Sequence, residues 1–166
     1  MDIPYINDQA ARAECAAALG RLLADSYLIY LKTQGFHWNV VGRQFEPLHT
    51  VFQEQYTELA TAIDEIAERM RALGAKAPGS FSEFASLTSI TEETGEPAAN
   101  IMLDQLLSDH TTASRTARQV VATAEGHGDV ATARGPARKI GLDAAEPAAT
   151  VMIHPCTAGQ TKREGR

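Results

Sequence analysis

The stretch Pro47-Leu48-His49-Thr50-Val51-Phe52-Gln53-Glu54-Gln55-Tyr56-Thr57-Glu58-Leu59-Ala60-Thr61-Ala62-Ile63-Asp64-Glu65-Ile66-Ala67-Glu68-Arg69-Met70-Arg71-Ala72-Leu73-Gly74 decides the fold. Within it Leu48, Phe52, Tyr56, Leu59, Ile63, Ile66, Met70 and Leu73 recur at steps alternating mainly between three and four. That period lays them on one side of an α-helix. Pro47 falls in the first turn, where a missing N–H is harmless, and Gly74 supplies the stop. Upstream, Leu19, Leu22, Leu23, Tyr27, Tyr30 and Leu31 make a second stripe on a helix from about Asp8 to Phe36. Downstream, a third helix opens near Pro97, carries Leu103, Leu106, His110, Ala113, Ala117, Val120 and Ala124, and ends at Gly126 and Gly128. Between the second and third, Phe81-Ser82-Glu83-Phe84-Ala85 fits a short crossover helix. No alternating stretch argues for a strand.

Helices of about 25 residues span roughly 37 Å, and they bury such stripes in an antiparallel bundle. The expected fold class is therefore all-α. Three long helices leave one side of a four-helix bundle open, and a fourth is expected after Gly128. There the sequence places Gly135, Pro136, Gly141 and Pro147, so the fourth helix reads as disrupted or divergent. Residues 1–133 form the expected domain, with 9 basic and 18 acidic side chains. Residues 134–166, with 6 basic and 3 acidic, read as an irregular tail of different character.

A length of 166 residues fits one domain, and 44% hydrophobic content supplies a core. A formal net charge of -6 argues against a nucleic-acid binder driven by bulk charge. No run of eighteen apolar residues predicts a membrane span. Met1-Asp2-Ile3-Pro4 lacks the basic and apolar regions of a signal peptide, so a cytoplasmic protein is expected. Cys15 and Cys156 make no disulfide framework, and Cys15 reads as buried. Nucleophile-elbow, P-loop and dinucleotide glycine motifs do not occur.

His37 closes the first helix and His49 opens the second, while Asp64 and Glu68 share a face later on that helix. Two imidazoles and two carboxylates suit iron(II), manganese or zinc. His49 and Asp64 stand fifteen residues apart, about 22 Å on a straight helix, too far for one metal centre. Two copies packed antiparallel about a two-fold axis can bring them together. Fifteen steps of about 100° return to within about 60° of the start, so both ends look toward similar sides. His37 can join His49 through the short connection, and a symmetric dimer then carries two equivalent sites. The plainer reading stands beside this one: hydrogen-bonded histidines, a solvated acidic face, and an i,i+4 pair of Glu65 with Arg69. His110 reads as a satisfied core histidine, and His127 and His154 as loop residues. Trp38 and the tyrosines read as packing, although aromatics beside an oxidising metal can quench stray radicals.

The runs Tyr30-Leu31-Lys32-Thr33-Gln34-Gly35-Phe36-His37-Trp38-Asn39-Val40-Val41-Gly42 and Phe45-Glu46-Pro47-Leu48-His49, continuing to Asp64-Glu65-Ile66-Ala67-Glu68-Arg69, resemble the Dps family of ferritin-like miniferritins. The similarity covers about residues 8–133. It implies a ferritin-like four-helix bundle in a hollow dodecamer, with a ferroxidase centre at the two-fold dimer interface. The family's ligands map onto His37, His49, Asp64 and Glu68, which serve as catalytic and metal residues together. Iron is the implied metal: two iron(II) ions give electrons to hydrogen peroxide, and iron(III) mineral collects in the cage. Gln53 departs from the carboxylate many relatives carry four residues after the second histidine, which implies a weaker second iron position. Relatives that bind DNA use a lysine-rich arm, whereas Met1 to Glu14 holds one basic residue, Arg12. The alternatives are a non-enzymatic DNA-protecting or structural cage subunit, or an assembly-defective product.

Relatives end their fourth helix in a string like His-Glu-Lys-X-Ala-Trp-Met-Leu-Arg. Moving the reading frame by one base lets the codons from Ala137 onward spell such a string, with a stop codon near Val151. The tail is therefore read as a frameshift that begins shortly after about Thr132.

Overall fold

The structure is a computed structural model that describes residues 8–138 and 140. Its helices follow in the order α1 (Gln9–Asn39), α2 (Phe45–Ala72), α3 (Phe81–Leu87), α4 (Ala99–Gly126), α5 (Val130–Arg134) and α6 (Pro136–Arg138). Among the described residues there is no strand, and the chain is all-α as the periodicity requires. No helix among them is long and apolar enough to cross a membrane.

Each long helix forms where its apolar period runs. Asp8 caps α1, its carboxylate accepting the Ala10 N–H at 2.9 Å. Residues 40–44 turn the chain into α2 through Gly42, whose φ of 107° is costly for any residue with a Cβ. The return is antiparallel: Phe36 meets Phe52, and Tyr30 meets Tyr56 further along. α4 also runs antiparallel to α1, since Lys32 reaches Asp109 while Asp25 meets Thr116. Leu19, Leu22, Leu23 and Ile29 of α1 are fully buried with Phe52 and Ile66 of α2 and Val120 of α4. Ala113, Ala117 and Ala124 are buried beside them. Small side chains there let α4 lie close to α1.

The crossover helix α3 opens on a reciprocal cap. Ser80 accepts the Glu83 N–H, and the Glu83 carboxylate accepts from the Ser80 hydroxyl at 2.8 Å. The Gly79 N–H and then Lys76 also donate to Glu83, and together with Ser80 they pull its carboxyl down to about 2. Behind α3 the chain is tied to the bundle by Asp25, which is wholly buried. That carboxylate accepts from the Thr88 hydroxyl at 2.9 Å, the Ser89 N–H at 2.6 Å and the Thr116 hydroxyl at 2.7 Å.

The fourth position starts in pieces. α5 and α6 are separated at Gly135, where a Cβ would meet the Ala131 carbonyl oxygen at 2.7 Å. α6 rests on both α2 and α4, with Ala137 fully buried. The tail assigned to 134–166 is thus described only through Arg138 and at Ile140. The frameshift reading of the residues after Ile140, together with His154 and Cys156, lies outside the described residues.

Two readings of single residues change. Trp38 is not part of the core; it is 64% exposed, because α1 runs on to Asn39 and turns this position outward. His110 lies on the inner stripe, yet its Nε2 is buried with no hydrogen-bond partner among the described residues. Asp129, the acidic residue left near the start of the fourth position, is 2% exposed and not open to solvent. It caps α5 and binds Arg69.

Candidate metal centre

His37 sits in the last turn of α1 and His49 in the first turns of α2, so the 40–44 connection brings them together. Their rings stack with centroids 3.7 Å apart. The His37 Nδ1 lies 2.8 Å from the His49 carbonyl oxygen, and the His49 Nδ1 lies 2.8 Å from the His37 carbonyl oxygen. A carbonyl only accepts, so each Nδ1 carries the hydrogen. In the neutral rings both Nε2 atoms therefore hold free lone pairs, the form in which imidazole binds a metal. Phe45 stacks on His49 at 5.0 Å and Tyr56 stands edge-on to His37 at 5.4 Å, fixing the ring planes from either side. His37 is buried, His49 half-buried.

Asp64 and Glu68 are exposed on α2. Their i,i+4 spacing puts both carboxylates on one face. The fifteen residues from His49 to Asp64 are all helical, which sets about 22 Å between them. Among the described residues, no group of three or more His, Cys, Asp and Glu side chains gathers within one chain. One chain thus brings the two histidines together and leaves the two carboxylates at the other end of the same helix. Gln53 and Glu54 are exposed one turn beyond His49.

Next to the acidic pair, Arg69 reaches across to α5. Its Nη2 donates to Asp129 at 2.7 Å and its Nε to Thr132 at 2.8 Å, while the Thr132 N–H and hydroxyl also donate to Asp129. Burial alone would raise the Asp129 carboxyl, but the Thr132 and Arg69 hydrogen bonds outweigh it and hold the carboxyl below its usual range. Cys15 is 1% exposed, and burial above all pushes its thiol up, so it is an inert core residue.

Two features of the centre escape a sequence reading. Pairing of each imidazole with the other's backbone depends on the length and angle of the 40–44 turn, of which only Gly42 gives a signal. The Arg69–Asp129 tie joins residues 60 apart in sequence, with no local pattern to announce it.

The family model described as a ferritin-like domain matches residues 16–134. A low temperature-induced protein of a Nostoc species is 43% identical over 104 residues, 62% of this chain and 58% of that one. DNA protection during starvation protein 2 of Bacillus anthracis is 40% identical over 92 residues, 55% of this chain and 63% of that one. The chain thus spans somewhat more than half the length of these curated relatives. Among solved structures, the Dps protein of Vibrio cholerae O1, described as a member of a broad superfamily of ferritin-like diiron-carboxylate proteins, matches with a TM-score of 0.83. That match covers 87% of this chain and 91% of that one at 29% identity.

Proposed function

Because the chain belongs to the ferritin-like family and has Dps proteins as structural neighbours, we propose that it is a Dps-like ferroxidase and iron-storage subunit whose metal site is completed by a second copy. The observation that carries this reading is the reciprocal bond between His37 and His49, which directs both free Nε2 atoms to ligation. Histidines that served only packing would gain nothing from leaving both nitrogens bare. With α2 antiparallel to its copy about a two-fold axis, His37 and His49 of one subunit face Asp64 and Glu68 of the other. Exposed Trp38, Val41 and Phe45 beside the histidines supply apolar surface for such a seam.

Iron is substrate here. Imidazole and carboxylate together hold iron(II), and the carboxylates favour the product iron(III), a harder cation. Two iron(II) ions give one electron each to one hydrogen peroxide, which takes two protons and leaves as two waters. Pairing the electrons avoids a free radical. Gln53 offers an amide where a carboxylate would bind a hard cation better, so the second iron is held more weakly than the first. The DNA protection in the Bacillus anthracis relative's name draws less support here, since the formal net charge is -6.

Mixed subunits test the shared site. His49→Ala and Asp64→Ala proteins should each fail to oxidise iron(II) with peroxide. Unfolded together and reassembled, half the dimers are mixed, and each mixed dimer regains one intact site of two. Roughly a quarter of wild-type activity should return. A site built within one chain would return none.

A further inference from the structure

At the end of the bundle opposite the histidine pair, where α1 starts and α2 stops, two guanidinium groups line one cleft of about 520 Å³. Arg12 comes from the first turn of α1 and Arg71 from the last turn of α2. None of the described residues lining the cleft is acidic, in a chain whose formal net charge is -6. Arg12 is half-buried, and its guanidinium has no hydrogen-bond or ion-pair partner among the described residues. Asp8, four residues before it and spaced for an ion pair, instead caps α1 through the Ala10 N–H. Arg71 is held at the wall by one bond, its Nη1 donating to the Ala75 carbonyl oxygen at 2.8 Å. The rest of its fork has no partner among the described residues. Gly74, at φ 85°, turns the chain so that the Ala75 N–H bonds the Met70 carbonyl at 3.1 Å and its own N–H bonds the Arg71 carbonyl at 3.0 Å. Two carbonyls that would repel an anion at the end of α2 are thereby capped, while α1 meets the cleft with the positive end of its dipole. Two like charges on one cleft repel each other, and arginine cannot relieve this by losing its proton.

We propose that this cleft binds a phosphate-class oxyanion, inorganic phosphate or the terminal phosphate of a small monoester, between Arg12 and Arg71. Planar guanidinium forks match phosphate oxygens in pairs. A dianion meets both positive charges, where a single carboxylate would leave one of them unmet. The bound anion ties the first turn of α1 to the last turn of α2 and stabilises that end of the bundle. The inference is independent of the ferroxidase reading, since none of His37, His49, Asp64 and Glu68 lines the cleft.

Isothermal titration calorimetry of the metal-free full-length protein with sodium phosphate, against sodium chloride at equal ionic strength, tests the site. The wild type should bind one phosphate per chain, with an affinity that falls as salt is added. Arg12→Gln and Arg71→Gln should each weaken binding about tenfold or more. Arg118→Gln, at an exposed position of α4 away from the cleft, should leave it unchanged. Arg71→Lys keeps the charge but loses the fork, and should bind severalfold more weakly than the wild type. Phosphate should also raise the unfolding temperature of the wild type more than that of Arg12→Gln, which separates the site from general stabilisation by the salt. Ribose 5-phosphate distinguishes the two sources: binding at least as tight as that of inorganic phosphate assigns the site to a monoester, and weaker binding assigns it to the free ion. No binding of either by the folded wild type overturns the proposal, as does binding unchanged in both glutamine variants with native circular dichroism. A duplex oligonucleotide that binds where neither small phosphate does would assign the arginines to a nucleic-acid surface and overturn it too.

Discussion

His37 and His49 each donate Nδ1–H to the other's backbone carbonyl at 2.8 Å, so neither ring can turn without breaking a bond that holds its neighbour. The pair joins the end of α1 to the start of α2 and fixes one tautomer in both rings. Nitrogen-15 NMR of the metal-free protein at neutral pH should show both imidazoles protonated at Nδ1, with exchange slowed by the carbonyl bonds. Zinc(II), as a redox-silent probe, should shift the Nε2 resonances and leave the Nδ1–H signals in place. An Nε2–H tautomer in either ring would remove the basis for ligation.

Asp25 gathers three donors from two other parts of the chain, the end of α3 and the middle of α4. Asp25→Ala leaves the part-buried Thr88 hydroxyl and Ser89 N–H without their acceptor and leaves the Thr116 hydroxyl only the Thr112 carbonyl at 3.3 Å. A fully buried donor left unmatched costs about 1–3 kcal/mol, and two part-buried donors with one weakened buried bond should together cost about 2 kcal/mol. Urea unfolding measures it. Hydrogen exchange should show the Ser89 amide opening well before the helices, since Asp25 is its partner.

The long helices were legible because the apolar period, Pro47 near the start and the Gly74 stop agree at residues 47–74. The nearness of His37 to His49 and the shared face of Asp64 and Glu68 follow from the sequence, and the helix rise alone separates the two pairs. Tertiary choices were not. Trp38 reads as core by its size, yet its direction depends on three further residues of α1 beyond Phe36. Lys32 and Asp109 carry no pattern that would pair them over 77 residues. Asp129 is a similar case: Arg69 and Thr132, far away or without a local pattern, turn it inward.

Lys32 Nζ sits 2.6 Å from the Asp109 carboxylate, with side chains only 6% and 12% exposed. Such a pair gains little over an apolar one, but a lone charge left behind is expensive. Lys32→Met should cost about 3–5 kcal/mol by stranding Asp109. Lys32→Met with Asp109→Leu should recover most of that loss. A double variant as weak as the single one would show that the pair stabilises α1 against α4 beyond its own charges. Chemical unfolding of the four proteins in the cycle reads the coupling directly.

His110 sets a pH limit on the bundle. Burial holds its ring below the ordinary imidazole range, although Asp109 beside it pulls the other way. In the unfolded chain the ring takes its proton as the pH falls through about 6.5. The folded ring resists that proton, so below this pH the unfolded state binds more protons. Stability should therefore be full above about pH 7 and fall as the solution is acidified, until the folded ring also protonates. His110→Leu suits the apolar stripe and removes the titration. Its stability measured by urea unfolding should stay flatter than the wild type between about pH 7 and 5. The Nε2 without a partner among the described residues predicts that the variant is no less stable even at pH 8. Equal slopes for the two proteins would mean that His110 protonates as readily folded as unfolded, and the acid sensitivity would then belong to other groups.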